Sequence, residues 1–580
     1  MTRTVNPLAD TTTRYEPRPH YRAVQGAVGR GWQAAAATLA SGQRCLAVDG
    51  PASLDWAATI RDVTAATSTH FGGPVKTIDM RTAGREWAEI VRLTRSPDLA
   101  EDPDFEHLAM GALSELLRPE LLTRPEIAAA GALLIIGPGA AAVPGVRTLW
   151  WADLPKRYAE QAVARGTGRN LFAPDQVLAT TKRLFYIDWP LLDRHRDEHI
   201  DEVDLWLDLQ DPTDPTWLPG DVLRATVRSL AQQPIRTLPT FNSTPWGGQW
   251  ARRNLGHNPD GPNTALGYEL IAPESGVLVG ENADRAVEIP FQLLAALAPV
   301  DLLGDEVHRQ FGTSFPIRFD YLDNVDGGNL SVHCHPQPDY MREVFGWPYT
   351  QHETYYVMVG GERNVIFLGL REGASPSNFH KAAHGAHAEG LPFDITEFVQ
   401  TFPAEEHQLF LIPAGTPHGS GSGNVVLEVS ATPYLYSLRF YDWLRRDATD
   451  RQRPVHVDHA FANLDPTRSG QAIADQLVQS PRLLTSGTGW HEDLIGRLPD
   501  MFFEVHRLEL DASAVAPQHT EGRFHVLTLV EGDQVEIVTE RGHRHGLGYA
   551  ETIAIPAAVG HYSVQCADNR SARLVKALVR

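Results

Sequence analysis

The chain has 580 residues, a formal net charge of −21 at pH 7, 42% hydrophobic residues and 21% charged residues. At about 150 residues per domain, this length indicates three or four globular domains. The acidic balance and the lack of a long basic run argue against a nucleic acid or an anionic membrane surface as a partner.

Cysteine usage and the hydropathy pattern indicate the compartment in which the protein is expected. The three cysteines, Cys45, Cys334 and Cys566, lie far apart in the sequence, which excludes a disulfide framework and fits a reducing compartment. The first residues carry no apolar segment of the signal-peptide type, and no run of about 18 apolar residues occurs. We therefore expect a cytoplasmic protein without a membrane span. The protein could form a homo-oligomer.

We assign residues 1–235 to an α/β domain. Its first 20 residues are polar and proline-punctuated, which predicts an extended arm. Short apolar runs that predict strands alternate with patterns that predict helices. The strand-like runs are 43–49, 131–137 and 183–188, and the helix-like segments include 29–40 and 106–117. Such alternation is typical of a parallel sheet covered by helices.

The segment 40–60 reads as a strand, a Gly50-Pro51 turn and a helix. In this placement it is similar to the phosphate loop of the uridine-kinase-like P-loop proteins. A functional P-loop requires a second glycine and a lysine. Residues 50–55 provide neither, and Ser53 is only a weak substitute. We interpret residues 1–235 as a degenerate P-loop kinase-like domain without phosphoryl transfer.

The sequence changes character near residues 234–239. The following runs are short, rich in β-branched or aromatic residues, and mostly bounded by Gly or Pro, which predicts an all-β jelly roll. They lie at 354–359, 364–368, 408–412 and 424–429, with helical inserts predicted at 289–298 and 394–402. Similar runs at 526–530, 534–538 and 551–556 predict a second β barrel. We assign residues 236–465 to the first barrel and 466–580 to the second.

Four residues in the first barrel form a candidate metal site. His333 and His335 are two positions apart, so on a strand both imidazoles face the same side while Cys334 faces the other. Glu353 begins the next apolar strand, and His418 follows a Pro-Ala-Gly-Thr-Pro turn. Three imidazoles and one carboxylate suit Zn²⁺ or another divalent transition metal.

Other histidines fit a metal site less well. The segment that contains His380, His384 and His387 is polar and glycine-interrupted, which favours a solvated helix face. His543 and His545 lie in a predicted hairpin turn. The second barrel contains His519, His525 and His561, whose spacing does not match the ligand pattern, so we predict that this barrel is metal-free.

Residues from about 239 to 465 resemble the class I mannose-6-phosphate isomerases, which are cupin-fold zinc enzymes. The resemblance rests on Thr244–Gly248, Gly267–Leu270, Leu330–Pro336, Ile412–His418 and Arg439–Trp443. It implies that His335, Glu353 and His418 are metal ligands and that His333 takes the position of the family's glutamine ligand. It also implies that Arg439 lies beside the reacting carbons.

The sequence departs from the family at one further position. Gln351 stands where the family usually has a lysine that helps to hold an anionic sugar phosphate. This substitution leaves open whether the substrate, a sugar or sugar phosphate, is phosphorylated.

The resemblance implies aldose–ketose isomerisation through a cis-enediol. Such a reaction needs a Lewis acid, a fixed positive charge such as Arg439, and a base that moves the proton. His352 and Glu428 are both candidates for the base. Two alternatives remain: a sugar-binding or regulatory protein that has lost turnover, and a cupin metal-dependent dioxygenase that binds iron through the same ligands.

Overall fold

The computed structural model describes residues 15–40, 42–123, 131–433, 435–447, 450–567 and 570–580. The first residues of the predicted N-terminal arm, 1–14, lie outside this set. Within the described residues, no helix is both long and apolar enough to cross a bilayer. Cys45, Cys334 and Cys566 all lie in described segments and are not joined by disulfides.

A seven-stranded sheet, the N-terminal sheet, contains five neighbouring parallel strands, which extend from Val203–Asp208 to the edge strand Val75–Asp79 with Cys45–Asp49 in the middle. In spatial order its strands are Gly29–Arg30, Thr216–Pro219, Val203–Asp208, Leu149–Asp153, Cys45–Asp49, Ala132–Ile136 and Val75–Asp79, the first two of which pair antiparallel. Cys45–Asp49 and Ala132–Ile136 are buried along their whole length, as both faces of a parallel sheet require. The strand–helix alternation thus correctly predicted a parallel sheet.

Asp49 closes the carboxyl end of the central strand of this sheet. Its carboxylate accepts hydrogen bonds from the backbone N–H groups of Gly50 (2.7 Å), Gly139 (3.0 Å) and Ala141 (2.8 Å). His195 Nε2 also lies 2.8 Å from Asp49 Oδ2. One buried carboxylate therefore binds the loops that follow two neighbouring strands and anchors a helix against them.

Two antiparallel sheets form the first barrel. Sheet A has the spatial order Leu409–Ile412, Glu353–Val359, Val425–Ala431, Ile317–Asp323, Leu266–Leu270 and Thr240–Asn242. Sheet B has the order Val399–Ala404, Gly361–Leu370, His418–Ser420, Val332–Cys334 and Leu438–Tyr441. A three-stranded sheet of His20–Tyr21, Gly276–Val279 and Val287–Pro290 lies beside them.

Two further antiparallel sheets form the second barrel around one apolar core. The six-stranded sheet has the order Arg482–Gly487, Trp490–Gly496, Phe503–Leu510, Ala572–Val579, His525–Glu531 and Thr552–Ile555. The four-stranded sheet has the order Val515–His519, His561–Cys566, Gln534–Thr539 and Arg544–Gly548. Residues from both sheets, such as Leu527 and Ile537, share the core.

Helices lie mainly in the N-terminal part and in the connections of the first barrel. The α-helices are Trp32–Ala36, Trp56–Phe71, Trp87–Thr94, Lys156–Ala164, Thr181–Arg183, Trp189–His199, Gly220–Leu230, Trp250–Leu255, Gln292–Leu297, Pro299–Leu303, Asp305–Phe311, Pro338–Glu343, Pro376–Glu389, Val457–Asn463 and Gln471–Leu477. Trp56–Phe71 begins at Asp55, whose side chain accepts from the N–H of Ala58, and ends at left-handed Gly72.

Three local predictions were wrong. The predicted strand 183–188 is helical and runs through a π-helix, Leu184–Asp188, into the helix Trp189–His199. The predicted helix 106–117 is irregular apart from a short 3₁₀ turn, Leu113–Leu116. The predicted insert 394–402 contains a 3₁₀ turn followed by the strand Val399–Ala404. Short apolar runs fit a strand or a buried helix equally well, so length and periodicity could not separate them.

The N-terminal part contacts the first barrel through residues 102–105. Asp102 Oδ2 lies 2.9 Å from His459 Nε2, and Asp104 Oδ2 lies 3.2 Å from His456 Nε2. The ring of Phe105 lies between these pairs, with centroids 4.6 Å from His456 and 5.5 Å from His459. Two carboxylate–imidazole contacts and one aromatic ring thus join the two regions.

We expect Asp102→Asn to lower the free energy of unfolding by about 1–2 kcal/mol at pH 7, because a partly solvated hydrogen bond to a charged group is lost. Burial opposes ionisation, but hydrogen bonds from His459 and from backbone N–H groups hold the pKa of Asp102 at about 2. Because the pKa of Asp102 is lower in the folded than in the unfolded protein, its ionised form stabilises the fold at pH values above about 4. This contribution is lost as the pH falls towards 2. The difference in urea unfolding midpoint between wild type and Asp102→Asn should therefore be smaller at pH 3 than at pH 7.

The matched control is Asp98→Asn, which removes an exposed carboxylate from the same segment. It should leave the midpoint unchanged at both pH values. If the midpoints of wild type and Asp102→Asn differ by the same amount at pH 7 and at pH 3, the ionised Asp102 carboxylate does not stabilise this contact.

Candidate metal centre

Strand pairing brings the four candidate ligands together. His333, on the strand Val332–Cys334, pairs directly with His418 on the neighbouring strand of sheet B. His335 follows the same strand, and Glu353 begins the strand Glu353–Val359 of sheet A. The three imidazoles therefore come from one sheet and the carboxylate from the facing sheet.

The ligand atoms converge inside the barrel. One potential ligand atom from each of the four residues lies within 4.8 Å of the others. Glu353 Oε2 is 2.8 Å from His335 Nε2, and Glu353 Oε1 is 2.8 Å from His418 Nε2. His333, the most exposed of the four, is 5% exposed. Cys334 points the other way, and its thiol donates to the carbonyl of Ala460.

Each imidazole is oriented by a backbone carbonyl. The Nδ1 atoms of His333, His335 and His418 lie 2.9, 3.2 and 2.8 Å from the carbonyl oxygens of Ser331, Tyr436 and Thr416. A carbonyl oxygen can only accept, so each Nδ1 carries the hydrogen and each Nε2 presents a lone pair. This is the tautomer that binds a metal through Nε2.

The arrangement fits a bound cation. In these tautomers the lone pairs of two Nε2 atoms lie 2.8 Å from carboxylate oxygens of Glu353, which also carry lone pairs. Glu353 Oε1 and His418 Nε2 are buried and make no hydrogen bond within the described structure. Such crowding of acceptors is unfavourable unless a positive ion lies among them.

The protonation states also suit metal binding. Burial raises the pKa of Glu353, but the charges that His335 and His418 carry when protonated lower it well below its ordinary value, and a bound cation would act in the same direction. Burial lowers the pKa of His333 well below its usual range, with the neighbouring imidazoles acting in the same direction. Burial also lowers the pKa of His335, against the effect of Glu353. A deprotonated carboxylate beside neutral imidazoles is the state that binds a metal.

Gln351 supports the carboxylate ligand. Its side-chain Nε2 donates to Glu353 Oε2 over 2.9 Å, and the residue is 1% exposed. The side chain that replaces the expected lysine is thus directed at the metal centre. In this position it orients Glu353.

A buried polar network that the sequence analysis missed lies on the same face of sheet A. Arg318 donates to Glu428 and, over 2.6 Å, to Ser430 Oγ, which donates to Glu428 over 2.9 Å. Strand pairing of Glu353 with Ser430 and of Asp320 with Glu428 directs these side chains to the inner face. The signal was available, because Arg318 and Asp320 are alternate charged residues in an otherwise apolar strand.

The three candidate catalytic residues lie in different environments. Arg439 pairs with His333 across sheet B, and its Nη1 donates to the carbonyl of Pro454 over 3.2 Å. Burial and the nearby Arg453 lower the pKa of Arg439. Burial raises the pKa of Glu428 well above its ordinary value, although Arg318 opposes this.

His352 does not join the cluster. Its Nδ1 accepts a hydrogen bond from the N–H of Ala414 over 3.1 Å. Adjacent side chains on a strand face opposite sides, so His352 is directed away from the side of Glu353. Burial lowers the pKa of His352 to about 4, which leaves the imidazole neutral at pH 7.

The corresponding region of the second barrel contains a lysine. The ammonium group of Lys576, 5% exposed, donates to Glu492 and, over 2.8 Å, to Gln518 Oε1. His506 Nδ1 lies 2.6 Å from the same oxygen of Glu492. His525 contacts the Tyr562 hydroxyl over 2.8 Å. A side-chain cation therefore neutralises the buried carboxylate of this barrel.

In comparisons with known proteins, the N-terminal part and the rest of the chain match different proteins. A family model described as "Domain of unknown function (DUF8485)" matches residues 31–232. Mannose-6-phosphate isomerase of Streptococcus mutans serotype c is 28% identical over 223 residues, which are 37% of this chain and 63% of that protein. The chain thus spans less than two thirds of the length of this relative.

Two Bacillus subtilis proteins also match. The probable mannose-6-phosphate isomerase GmuF is 21% identical over 336 residues, which are 57% of this chain and 96% of that protein. The crystal structure of the mannose 6-phosphate isomerase from Bacillus subtilis superposes with a TM-score of 0.48 and 18% identity, covering 60% of this chain and 99% of that chain. The sequence similarities support the resemblance to this isomerase family.

We expect His335→Ala to bind one equivalent of Zn²⁺ or Co²⁺ fewer than wild type, with affinity at the barrel site at least about 100-fold lower, because a ligand and its oriented lone pair are lost. Equilibrium dialysis followed by elemental analysis measures the bound metal. The control Cys334→Ala alters the adjacent side chain on the opposite face and should retain the full metal content. Equal metal content in both variants would exclude this ligand set.

Proposed function

We propose that residues 236–465 form a metal-dependent aldose–ketose isomerase of the mannose-6-phosphate isomerase type, acting on a sugar or sugar phosphate. The observation that carries the proposal is the convergence of three Nε2 lone pairs and the Glu353 carboxylate in one buried cluster. The sequence similarity to proteins described as mannose-6-phosphate isomerases supports the choice of reaction.

His333, His335, Glu353 and His418 would hold the ion, for which Zn²⁺ is the first candidate and another divalent transition metal the second. When bound, the ion supplies Lewis-acid polarisation of substrate oxygens. The protein contributes the orientation of the ligands through three backbone carbonyls and through Gln351. Burial excludes bulk water from this cluster.

Arg439 would provide a fixed positive charge for the negative charge that develops on the sugar oxygens of the enediol. Its position opposite His333 in sheet B supports this role. The guanidinium makes a single hydrogen bond within the described structure, to the carbonyl of Pro454, which leaves donors for a substrate. A preorganised cation in a poorly solvated site stabilises developing charge effectively.

Glu428 is the better of the two candidates for the proton-transfer group. It shares the inner face of sheet A with Glu353 and is hydrogen-bonded to Ser430 and Arg318. His352 is neutral, but its one lone pair, on Nδ1, already accepts from the N–H of Ala414, and the side chain is directed to the other side of its strand. The inner-face position favours Glu428, because a base must reach the substrate carbon.

A cavity of about 460 Å³ between the N-terminal part and the first barrel is a candidate for the sugar. Its wall includes Trp189, Trp347 and Tyr436 together with Lys156 and Asp193. The carbonyl of Tyr436 also contacts His335, so this wall is one residue away from the ligand cluster, whose four members do not themselves line the cavity. Aromatic faces with a few polar groups suit a small polar ligand.

We further infer that residues 1–235 are a degenerate P-loop-like domain without phosphoryl transfer. The strand Cys45–Asp49, the turn and the helix Trp56–Phe71 support the layout. Asp49 already occupies loop N–H groups that could otherwise receive an anion. We assign residues 466–580 to a metal-free second cupin-like barrel, in which Lys576 serves as the internal cation.

The proposal is tested by metal removal and a substrate panel. We expect isomerisation of at least one free or phosphorylated aldose, loss of this activity after chelation, and recovery with Zn²⁺. Oxygen consumption by an iron-loaded protein without isomerisation would instead indicate the dioxygenase alternative. Sugar binding without turnover under all metal conditions would indicate a binding or regulatory protein.

For Arg439→Gln we expect a fall in kcat of about 100-fold or more with unchanged metal content, because a charge acting in the transition state is lost. Arg446→Gln is the matched control, since it removes an exposed arginine from the following loop. Steady-state kinetics on the best substrate measure the effect. A variant that changes KM alone would assign Arg439 to substrate binding only.

A further inference from the structure

The helix Trp189–His199 of the N-terminal part carries a second group of potential ligands. His195, Glu198 and His199 are spaced at i, i+3 and i+4, which places them on one face of a helix. One potential ligand atom from each lies within 4.8 Å of the other two. This group and the barrel cluster are the two such groups found in the segments that the structure describes.

Each imidazole of the helix contacts a carboxylate through one nitrogen. His195 Nε2 lies 2.8 Å from Asp49 Oδ2, and His199 Nδ1 lies 3.2 Å from Glu202 Oε2. Asp49 also accepts from loop N–H groups, so it is an acceptor and His195 Nε2 is the donor. Nδ1 of His195 and Nε2 of His199 make no hydrogen bond within the described part of the chain. A carboxylate behind an imidazole fixes the ring and strengthens it as a ligand.

The geometry resembles that of the barrel cluster. The rings of His195 and His199 have centroids 4.9 Å apart, within the range of 4.2 to 5.3 Å among the three barrel histidines. The exposed carboxylate of Glu198 makes no hydrogen bond or ion pair among the described residues.

Another helix provides a structural contrast. His380 and His384 are also four residues apart, on the helix Pro376–Glu389. Their rings are stacked 6.3 Å apart, and neither side chain contacts a carboxylate within the described residues. The spacing of two histidines therefore does not by itself create the arrangement found at His195 and His199.

We propose that His195 Nδ1, His199 Nε2 and the Glu198 carboxylate form a second binding site for a divalent transition metal such as Zn²⁺ or Co²⁺. Two imidazoles and one carboxylate suit these ions, and water completes the coordination shell at the exposed side. The site is separate from the barrel and does not depend on the proposed isomerase activity. Through Asp49 it connects the helix to the central strand Cys45–Asp49, so a bound ion stabilises the N-terminal sheet.

The test is metal stoichiometry of the full chain. Chelated protein is dialysed against buffered Co²⁺ or Zn²⁺, and bound metal is measured by elemental analysis. We expect two equivalents for wild type and one equivalent for His199→Ala and for Glu198→Gln. His195 is left intact because its contact with Asp49 contributes to the fold.

The control is His384→Ala, which removes one member of the other i, i+4 histidine pair and should still bind two equivalents. His335→Ala should lose the barrel equivalent and keep the helix equivalent. Isomerase turnover, where present, should be retained in His199→Ala. One equivalent in wild type, or two in both His199→Ala and Glu198→Gln with circular dichroism unchanged, would overturn the second site.

Discussion

The central barrel depends on the burial of one negative charge, the carboxylate of Glu353. Removing an unpaired carboxylate from water costs several kcal/mol, so the site is stable only if positive charge or hydrogen-bond donors compensate. Gln351 supplies one donor, while the imidazoles of His335 and His418 direct lone pairs at the same oxygens. A cation bound among these acceptors would supply the remaining compensation, and the strand pairing of His333 with His418 fixes two of its proposed ligands relative to each other.

In the second barrel, the charge of a buried carboxylate is compensated by a side-chain cation. Glu492 is buried there as Glu353 is buried in the first barrel, but Lys576 brings its own ammonium group to the carboxylate. A side-chain ammonium group offers no coordination position to a substrate, so we place the proposed isomerase chemistry in the first barrel alone. The N-terminal part reaches that barrel through Asp104, which contacts His456 next to Arg439. The N-terminal part and the first barrel thus meet close to Arg439.

Much of the central region was accessible from sequence. The spacing of His333 and His335 and the runs at 354–359 and 424–429 predicted strands that the structure contains. Short runs rich in β-branched and aromatic residues are typical of buried strands. The segment 183–188 was misread as a strand, since its apolar run continues a helix in which Trp189 and Leu192 are buried. The network of Arg318, Glu428 and Ser430 was accessible only in part. The alternate charged residues of the strand Ile317–Asp323 are visible in the sequence, but their pairing with Glu428 and Ser430 depends on strand register, which a single sequence does not reveal.

The carboxylate of Asp49 has a consequence for the stability of the loops around it. A loop whose N–H groups bind a free anion gains stability as the concentration of that anion rises. Here the anion is permanently tethered to the strand itself and occupies the backbone amides of Gly139 and Ala141. Such a loop keeps its hydrogen bonds whatever the concentration of anions in solution, which suits a rigid support for the neighbouring barrel.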